Sequence, residues 1–313
     1  MKKKENNNLP LSGINVLDLT NVLSGPYATL ILAELGANVI KVEKPNGDDS
    51  RKYGPFIGNK SGYFLSLNRG KKSIVIDLKE KSDRVIFEKL LSKVDVLVDN
   101  FKPGTLEKFG FSWLKISKKY PKLIHAKISG FGEIGPYKNY PAYDIIVQAM
   151  GGIMSLTGSN KNNFVRVGTS VGDIVAGLFC VIGVLSQLLK RKETNIGSKL
   201  DLSMLDCQVA ILENAITRFS IDKKIPFPLG TDHPSISPFG EYKTQNSSIV
   251  IAAGNNKIFK KLCNVINDIE MISNKMFRSN EDRNNNLNEL RKRIELKLRK
   301  FSSEHWLKKL THN

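Results

Sequence analysis

The chain has 313 residues, a formal net charge of +18, 41% hydrophobic residues and 25% charged residues. That length accommodates one large domain and a smaller one, and the composition excludes a disordered, collagenous or disulfide-stapled chain. The positive charge is spread along the whole sequence without an aromatic RNA-binding motif, a zinc finger or a basic arm. Nucleic acid is therefore not the expected partner, whereas a small polyanion suits such a surface.

The three cysteines, Cys180, Cys207 and Cys263, are odd in number and have no CxxC spacing. They support neither a disulfide framework nor a zinc site, and a reducing cytoplasm is the expected location. The basic start Met1–Asn8 is followed by Leu9-Pro10-Leu11-Ser12 rather than an apolar stretch, so no secretory leader is expected.

In chain order, Ile14 to Leu19 reads as a strand, Gly25-Pro26 as a turn with Pro at a helix start, and Tyr27 to Leu35 as a helix stopped by Gly36. Further strands are predicted at Ala37–Glu43, Ser73–Leu78, Asp95–Asp99 and Leu123–Ser129, with helices at Glu80–Ser92 and Ser112–Lys119 between them. Short apolar strands alternating with helices predict an α/β fold, a Rossmann-like parallel sheet covered on both faces. Ligands of such sheets bind at the carboxyl ends of the strands, here Leu19-Thr20-Asn21, Glu43-Lys44, Asp77, Asn100-Phe101 and Gly130-Phe131-Gly132.

Ala142–Ser155 reads as one helix. The apolar run Ile174–Leu189 falls short of the roughly 20 residues that cross a bilayer, so a buried helix and no membrane are expected. Lys199–Leu202 looks extended and Met204–Phe219 helical. The Pro/Lys/Gly stretch Asp222–Gly230 sets the expected boundary between a large domain (1–222) and a smaller α+β domain (223–313). In the latter, Gly240–Thr244 and Ser248–Ala252 look like a hairpin, Ile258–Ile266 a helix, Asn-rich Ser279–Asn288 an exposed loop, and Leu290–Phe301 an amphipathic helix with a solvated face.

The turn after the first strand, Asn21-Val22-Leu23-Ser24-Gly25-Pro26, lacks GxGxxG, and no phosphate loop, HExxH or GxSxG pattern appears. His125 reads as a packed core residue; His233, His305 and His312 have no placed partner. Without an activated Ser or Cys, the nucleophile candidates are carboxylates. Asp18, Asp77, Asp99 and Asp144 suit structural roles at strand ends or as caps. Asp173 stands apart, with Gly168-Thr169-Ser170 and Gly172 before it and the longest apolar run after it. Local pattern leaves two roles open: a helix N-cap, the commoner one, or a nucleophile held ionised at a helix N-terminus.

Several stretches together resemble the family III CoA-transferases, the group that includes formyl-CoA transferase, the carnitine dehydratase/bile-acid-inducible proteins and 2-methylacyl-CoA racemases. They are Leu11–Thr20, Leu35–Glu43, Asn68–Ser73, Asp99–Gly104, Ser129–Gly132, Tyr143-Asp144, Val171–Asp173 and His233–Ile236, in the family's order. The resemblance implies that Asp173 is catalytic and forms first an aspartyl-acyl anhydride and then an aspartyl-CoA thioester, with no metal and no cofactor beyond the coenzyme A thioester substrate. It implies CoA contacts at Val22, Leu23 and Ser24, basic contacts at Lys41, Lys71 and Lys108, the pantetheine arm beside Asn100 and Phe101, and an active-site wall at Met204. Each lysine alone would read as solvated surface charge. The implied partners are an acyl-CoA, a small carboxylic acid and a second copy in a homodimer.

Two departures from the family pattern stand out. The racemases carry a His where this chain has Tyr143, which favours transferase over racemase. The family's glycine-rich loop is matched only weakly, by Ala252-Ala253-Gly254-Asn255-Asn256, and the family's chains continue past Asn313 with a segment that returns to the large domain. The resemblance therefore also admits an inactive CoA-binding remnant.

Overall fold

A computed structural model describes residues 9–311; the expectations for Met1–Asn8 and for His312 lie outside them. The chain forms two compact units, one of residues up to Met154 plus Arg166–Ile225, the other of Ser155–Val165 plus the residues from Pro226 onward.

The first unit is built on six parallel strands: β1 (Asn15–Asp18), β2 (Asn38–Glu43), β3 (Lys72–Val75), β4 (Val96–Asp99), β5 (Ile124–Ser129) and β6 (Lys199–Ser203). Their order is β6-β5-β4-β1-β2-β3. The chain leaves β1 toward one edge and returns to β4 to build toward the other, so the loops after β1 and β4 lie side by side at a topological switch point.

Successive side chains point opposite ways, and the inner strands β1, β4 and β5 bury both faces, whereas the edge strand β3 is largely exposed. Val16, Val96, Val98, Ala126 and Ile128 pack in one core with α1 (Ser24–Glu34) and α8 (Val171–Thr194). Leu17 and Leu97 pack on the other face with Phe87 and Leu91 of α3 (Lys81–Leu91) and Ile116 of α5 (Trp113–Lys119).

α1 begins at Ser24, ahead of the predicted start, because Pro26 is tolerated in a first turn whose N–H groups have no intrahelical acceptor. The helix expected over 142–155 is two, Asp144–Met150 (α6) and Ile153–Leu156, broken at Gly152, which has a φ of +92°. Met204–Phe219 is likewise broken, into Met204–Ala210 (α9) and Asn214–Asp222, with Glu213 between them at a φ of +51°.

α8 has 24 residues, longer than its apolar run, and is long and apolar enough to cross a bilayer by length and composition. One face, Ala176, Cys180, Val181, Val184 and Leu188, lies in the core, while Leu178, Ile182 and Leu189 are exposed. The expectation of a wholly buried helix is therefore corrected to a helix buried along one face.

The second unit has its own core. Its hairpin pairs β7 (Phe239–Lys243) with β8 (Ser248–Ala252), antiparallel. The predicted exposed loop at 279–288 is instead a helix at Asn280–Asn285, opened by a capping box between Ser279 and Asp282. Arg283 within it is wholly buried and donates to the carbonyls of Ser237 and Phe277 and to Asn256 Oδ1. The following helix, Leu287–Leu298, is amphipathic as expected: Leu290, Ile294 and Leu298 form its core-facing row, and Lys292 and Leu296 lie on its exposed face. The segment matched to the family's glycine loop joins β8 to the next helix, and Asn255 caps that helix by accepting the Ile258 N–H.

α1 and α8 approach closely at Gly177, where an added Cβ would stand 2.8 Å from the Ser24 carbonyl oxygen and 3.1 Å from the Tyr27 ring. Gly177→Ala is therefore expected to lower stability by about 1–3 kcal/mol through forced separation of the two helices; denaturant midpoints measure it.

Candidate functional site

A cavity of about 800 Å³ opens at the carboxyl ends of the strands. Its walls come from the loop after β1 (Leu19 to Ser24), the ends of β2 and β3, the loop after β4 with Asn100, Phe101 and Lys102, the end of β5, and Tyr143, Asp173 and Met204. The volume falls within the range of small-molecule sites.

Asp173 is the third residue of α8, not its cap. The capping position is Ser170, which makes no side-chain cap bond. The cap reading of Asp173 is thereby removed, and its carboxylate lies on the cavity wall. Burial raises its pKa to about 6, with the nearby Asp144 adding to the rise and hydrogen bonds from the Ser24 hydroxyl and backbone N–H opposing it. The Tyr63 hydroxyl is also raised, by burial and then by Asp173. Ser24 is the first residue of α1, so two helix N-termini converge on this one carboxylate.

Asp144 fixes the start of α8. One carboxylate oxygen accepts the Gly172 N–H at 2.8 Å and the other accepts Gln148 Nε2 at 2.7 Å. Gln148 in turn accepts the Val167 N–H, tying down the loop that leads into α8. Gly172 has no room for a side chain, since a Cβ would stand 2.6 Å from Val147.

Of the expected site residues, Val22, Leu23, Ser24, Lys41, Asn100, Phe101, Asp173 and Met204 line the cavity; Lys71 and Lys108 do not. Lys41 is 1% exposed, pairs with Asp48 at 2.8 Å and donates to the Thr20 carbonyl at 2.7 Å. Lys71 is enclosed by Asp18 at 3.0 Å, the Pro26 carbonyl, Thr29 and Asn68. Burial pushes the Asp18 carboxyl up, but Lys71, Lys41 and the Thr20 and Thr29 hydroxyls outweigh it and hold it down at about 2. Both lysines are buried, and their charges are already matched within the protein. Lys108 is exposed at the end of a short helix, Thr105–Lys108.

The cations at the cavity wall that the family match did not name are Lys44, Lys79 and Lys102. Lys44 pairs with Asp49 at 2.7 Å, while Lys79 and Lys102 are exposed. Lys44 and Lys102 adjoin strand-end positions, so the carboxyl-end rule pointed to them where the motif match pointed deeper into the strand. His125 is a buried residue, as expected, with Nε2 2.6 Å from Asp99.

Residues 11–313 match CoA-transferase family III. The chain belongs to that family. Among its relatives, an acetyl-CoA:oxalate CoA-transferase of Acetobacter aceti is 44% identical over 95% of this chain and 77% of its own. A succinyl-CoA:glutarate CoA-transferase of Mus musculus is 39% identical over 95% of this chain and 69% of its own. A CAIB/BAIF family protein from Brucella suis has a similar structure, with a TM-score of 0.85 and 34% identity over 97% of this chain and 82% of that one. The family III membership accords with the parallel sheet and with a cavity at its switch point.

A carboxylate whose folded pKa is raised from 3.8 to about 6 binds its proton more tightly in the folded state. It therefore costs stability above pH 6, and the cost fades as pH falls toward 4. Asp173→Asn is expected to be more stable than the natural protein by about 2 kcal/mol at pH 8, with the gap closing near pH 4, as followed by urea unfolding across pH.

Proposed function

We propose that the protein transfers CoA from an acyl-CoA donor to a carboxylic acid, with Asp173 as the nucleophile. The observation that supports this most directly is a half-buried, half-desolvated carboxylate on the wall of a cavity of about 800 Å³, with two helix N-termini beside it. A carboxylate with a raised pKa is a better nucleophile than a fully hydrated one and is still mostly ionised at neutral pH.

In this reading Asp173 attacks the thioester carbonyl. The C–S bond breaks, and an aspartyl-acyl anhydride and CoA thiolate form. The thiolate attacks the aspartyl carbonyl carbon, releasing the donor carboxylate and leaving an aspartyl-CoA thioester. The acceptor carboxylate then displaces the thiolate, and the thiolate takes the acceptor's acyl group, freeing Asp173. No step changes an oxidation state, so neither a redox cofactor nor a metal is called for. Positive potential from the first turns of α1 and α8 favours the oxyanions of the tetrahedral steps.

The pantetheine arm would run along Phe101 and Met204, and the exposed Lys79 and Lys102 would meet the nucleotide phosphates. Relatives named for oxalate and glutarate support a small dicarboxylate as acceptor. Tyr143 stands where the related racemases carry a His, so a two-base proton exchange loses its imidazole partner there, which favours transfer over racemisation.

The test is to incubate the protein with acyl-CoA, a labelled dicarboxylate and hydroxylamine. Label should appear in new acyl-CoA, a hydroxamate should form at Asp173, and Asp173→Ala should lose transfer by at least a thousandfold while keeping CoA affinity. Undiminished turnover in that variant would exclude the mechanism. Hydrogen exchange at the acyl α-carbon without transfer would mark a racemase, and CoA binding with neither reaction an inactive remnant.

Lys79→Ala and Lys102→Ala should each raise the acyl-CoA KM about three- to fivefold at low salt with kcat unchanged, an effect that shrinks as salt screens it. Steady-state kinetics at two ionic strengths check this.

A further inference from the structure

Between β1 and α1 the backbone runs through a short irregular turn in which every backbone N–H from Thr20 to Val22 has a side-chain acceptor. The Thr20 N–H bonds Asp18 at 2.9 Å, and the Thr20 carbonyl accepts Lys41 Nζ at 2.7 Å. The Asn21 N–H bonds Asn100 Oδ1 and its carbonyl accepts Asn100 Nδ2, both at 2.8 Å. The Val22 N–H bonds Asp48 Oδ1 at 3.3 Å. The Asn21 amide is itself fixed by Asp49, accepting its backbone N–H at 2.9 Å and donating to its carboxylate at 2.5 Å. Lys41 and Asp48 are also an ion pair, 2.8 Å apart and each side chain 1% exposed.

The backbone explains this set of bonds. Val22 has a φ of +67°, a left-handed conformation that a β-branched side chain disfavours strongly. A free turn of this sequence would relax away from it. The residue after next is Ser24, which lines the cavity with Asp173 and holds its carboxyl pKa down against burial. Relaxation at Val22 would therefore swing Ser24 away from Asp173.

We propose that Asn100 and Lys41 are positioning residues that hold the Thr20–Ser24 turn in its strained form and, through it, keep Ser24 beside Asp173 at the cavity wall. The catalytic importance of this device rests on Asp173 being the nucleophile, as proposed above; its structural part does not. Both residues were expected to touch CoA, yet their polar atoms are already engaged by the protein. The groups that face Asp173 are Ser24 from α1, Asp144 from α6, and Tyr63 from the helix Gly62–Asn68. Of these, only Ser24 is reached through the turn.

The test reads Asp173 directly. Protein labelled with ¹³C at aspartate carboxyl carbons is titrated by NMR, and the Asp173 signal is assigned by its loss in Asp173→Asn. Hydrogen bonds to the ionised form hold a carboxyl pKa down, so loosening the turn raises it. Asn100→Ala is expected to move the Asp173 midpoint upward by about half a unit, a threefold change in the acid constant. Adding Val22→Gly, which occupies the same φ without strain, should return the midpoint toward its starting value. Lys41→Met should shift it in the same direction as Asn100→Ala, and Asn100→Ser carries the test if Asn100→Ala does not fold.

An unmoved midpoint in the Asn100 variant, with a higher acyl-CoA KM, would overturn the proposal and return Asn100 to a simple CoA contact. A shift that Val22→Gly fails to reverse would also overturn it. Failure of the nucleophile reading is seen separately, as full transfer activity in Asp173→Asn.

Discussion

Two helices can start at one point only where nothing larger than hydrogen stands between them. Here α1 and α8 close over Gly177, with the Ser24 carbonyl where a side chain would otherwise sit. That contact brings the first residue of α1 to the third residue of α8, and the rest of the site follows from it. The turn after β1 must deliver Ser24 at the right height, the loop before α8 must deliver Asp173, and neither segment has regular secondary structure to fix it. Side chains supply what the backbone lacks: Asp48, Lys41 and Asn100 on one side, Asp144 and Gln148 on the other. Polar residues buried in this way are costly unless bonded on all sides, and these largely are.

This arrangement also explains why a chain with so large an excess of positive charge places Lys41 and Lys71 out of water. Lys41 and Lys71 sit beneath the turn at the carboxyl end of the sheet, among Asp18, Asp48 and several carbonyls and hydroxyls. An apolar residue at either place would leave a buried carboxylate unmatched. Their charge supports the floor of the cavity, while lysines on the wall remain accessible to a ligand. Two populations of lysine thus lie within one site, and burial alone separates them.

The alternation of strands and helices was legible in the first half because the inner strands bury both faces and show as short apolar runs, and the carboxyl-end rule led to the loops that line the cavity. The motif match led to Asp173 but could not distinguish Lys41 from Lys44. These residues differ by three positions in one extended segment, and the difference between inside and outside is set by the turn packed over them. The helix at Asn280–Asn285 was hidden by its Asn-rich composition, since its start depends on a capping box and its stability on Arg283, neither of which has an apolar period. The breaks at Gly152 and Glu213 follow from tertiary placement of two short helices where a single periodic pattern continues through both. Packing against other elements decided each of these cases, and one sequence window does not contain that information.

A carboxylate that must attack a thioester has to be poorly solvated and still charged. Burial supplies the first requirement and opposes the second, and Asp144 opposes it further. Asp144 cannot simply be removed, because its two oxygens fix the Gly172 amide and Gln148 and so the position of Asp173 itself. The fold therefore sets one anion beside another and counters the repulsion from the opposite side, with Ser24. Ser24 is neutral and can hold the charge without neutralising it; a lysine in its place would pair with Asp173. Seen this way, the strained turn at Val22 has a chemical reason. A relaxed turn would be easier to fold, but it would leave Asp173 facing Asp144 without Ser24 to hold its carboxyl pKa down.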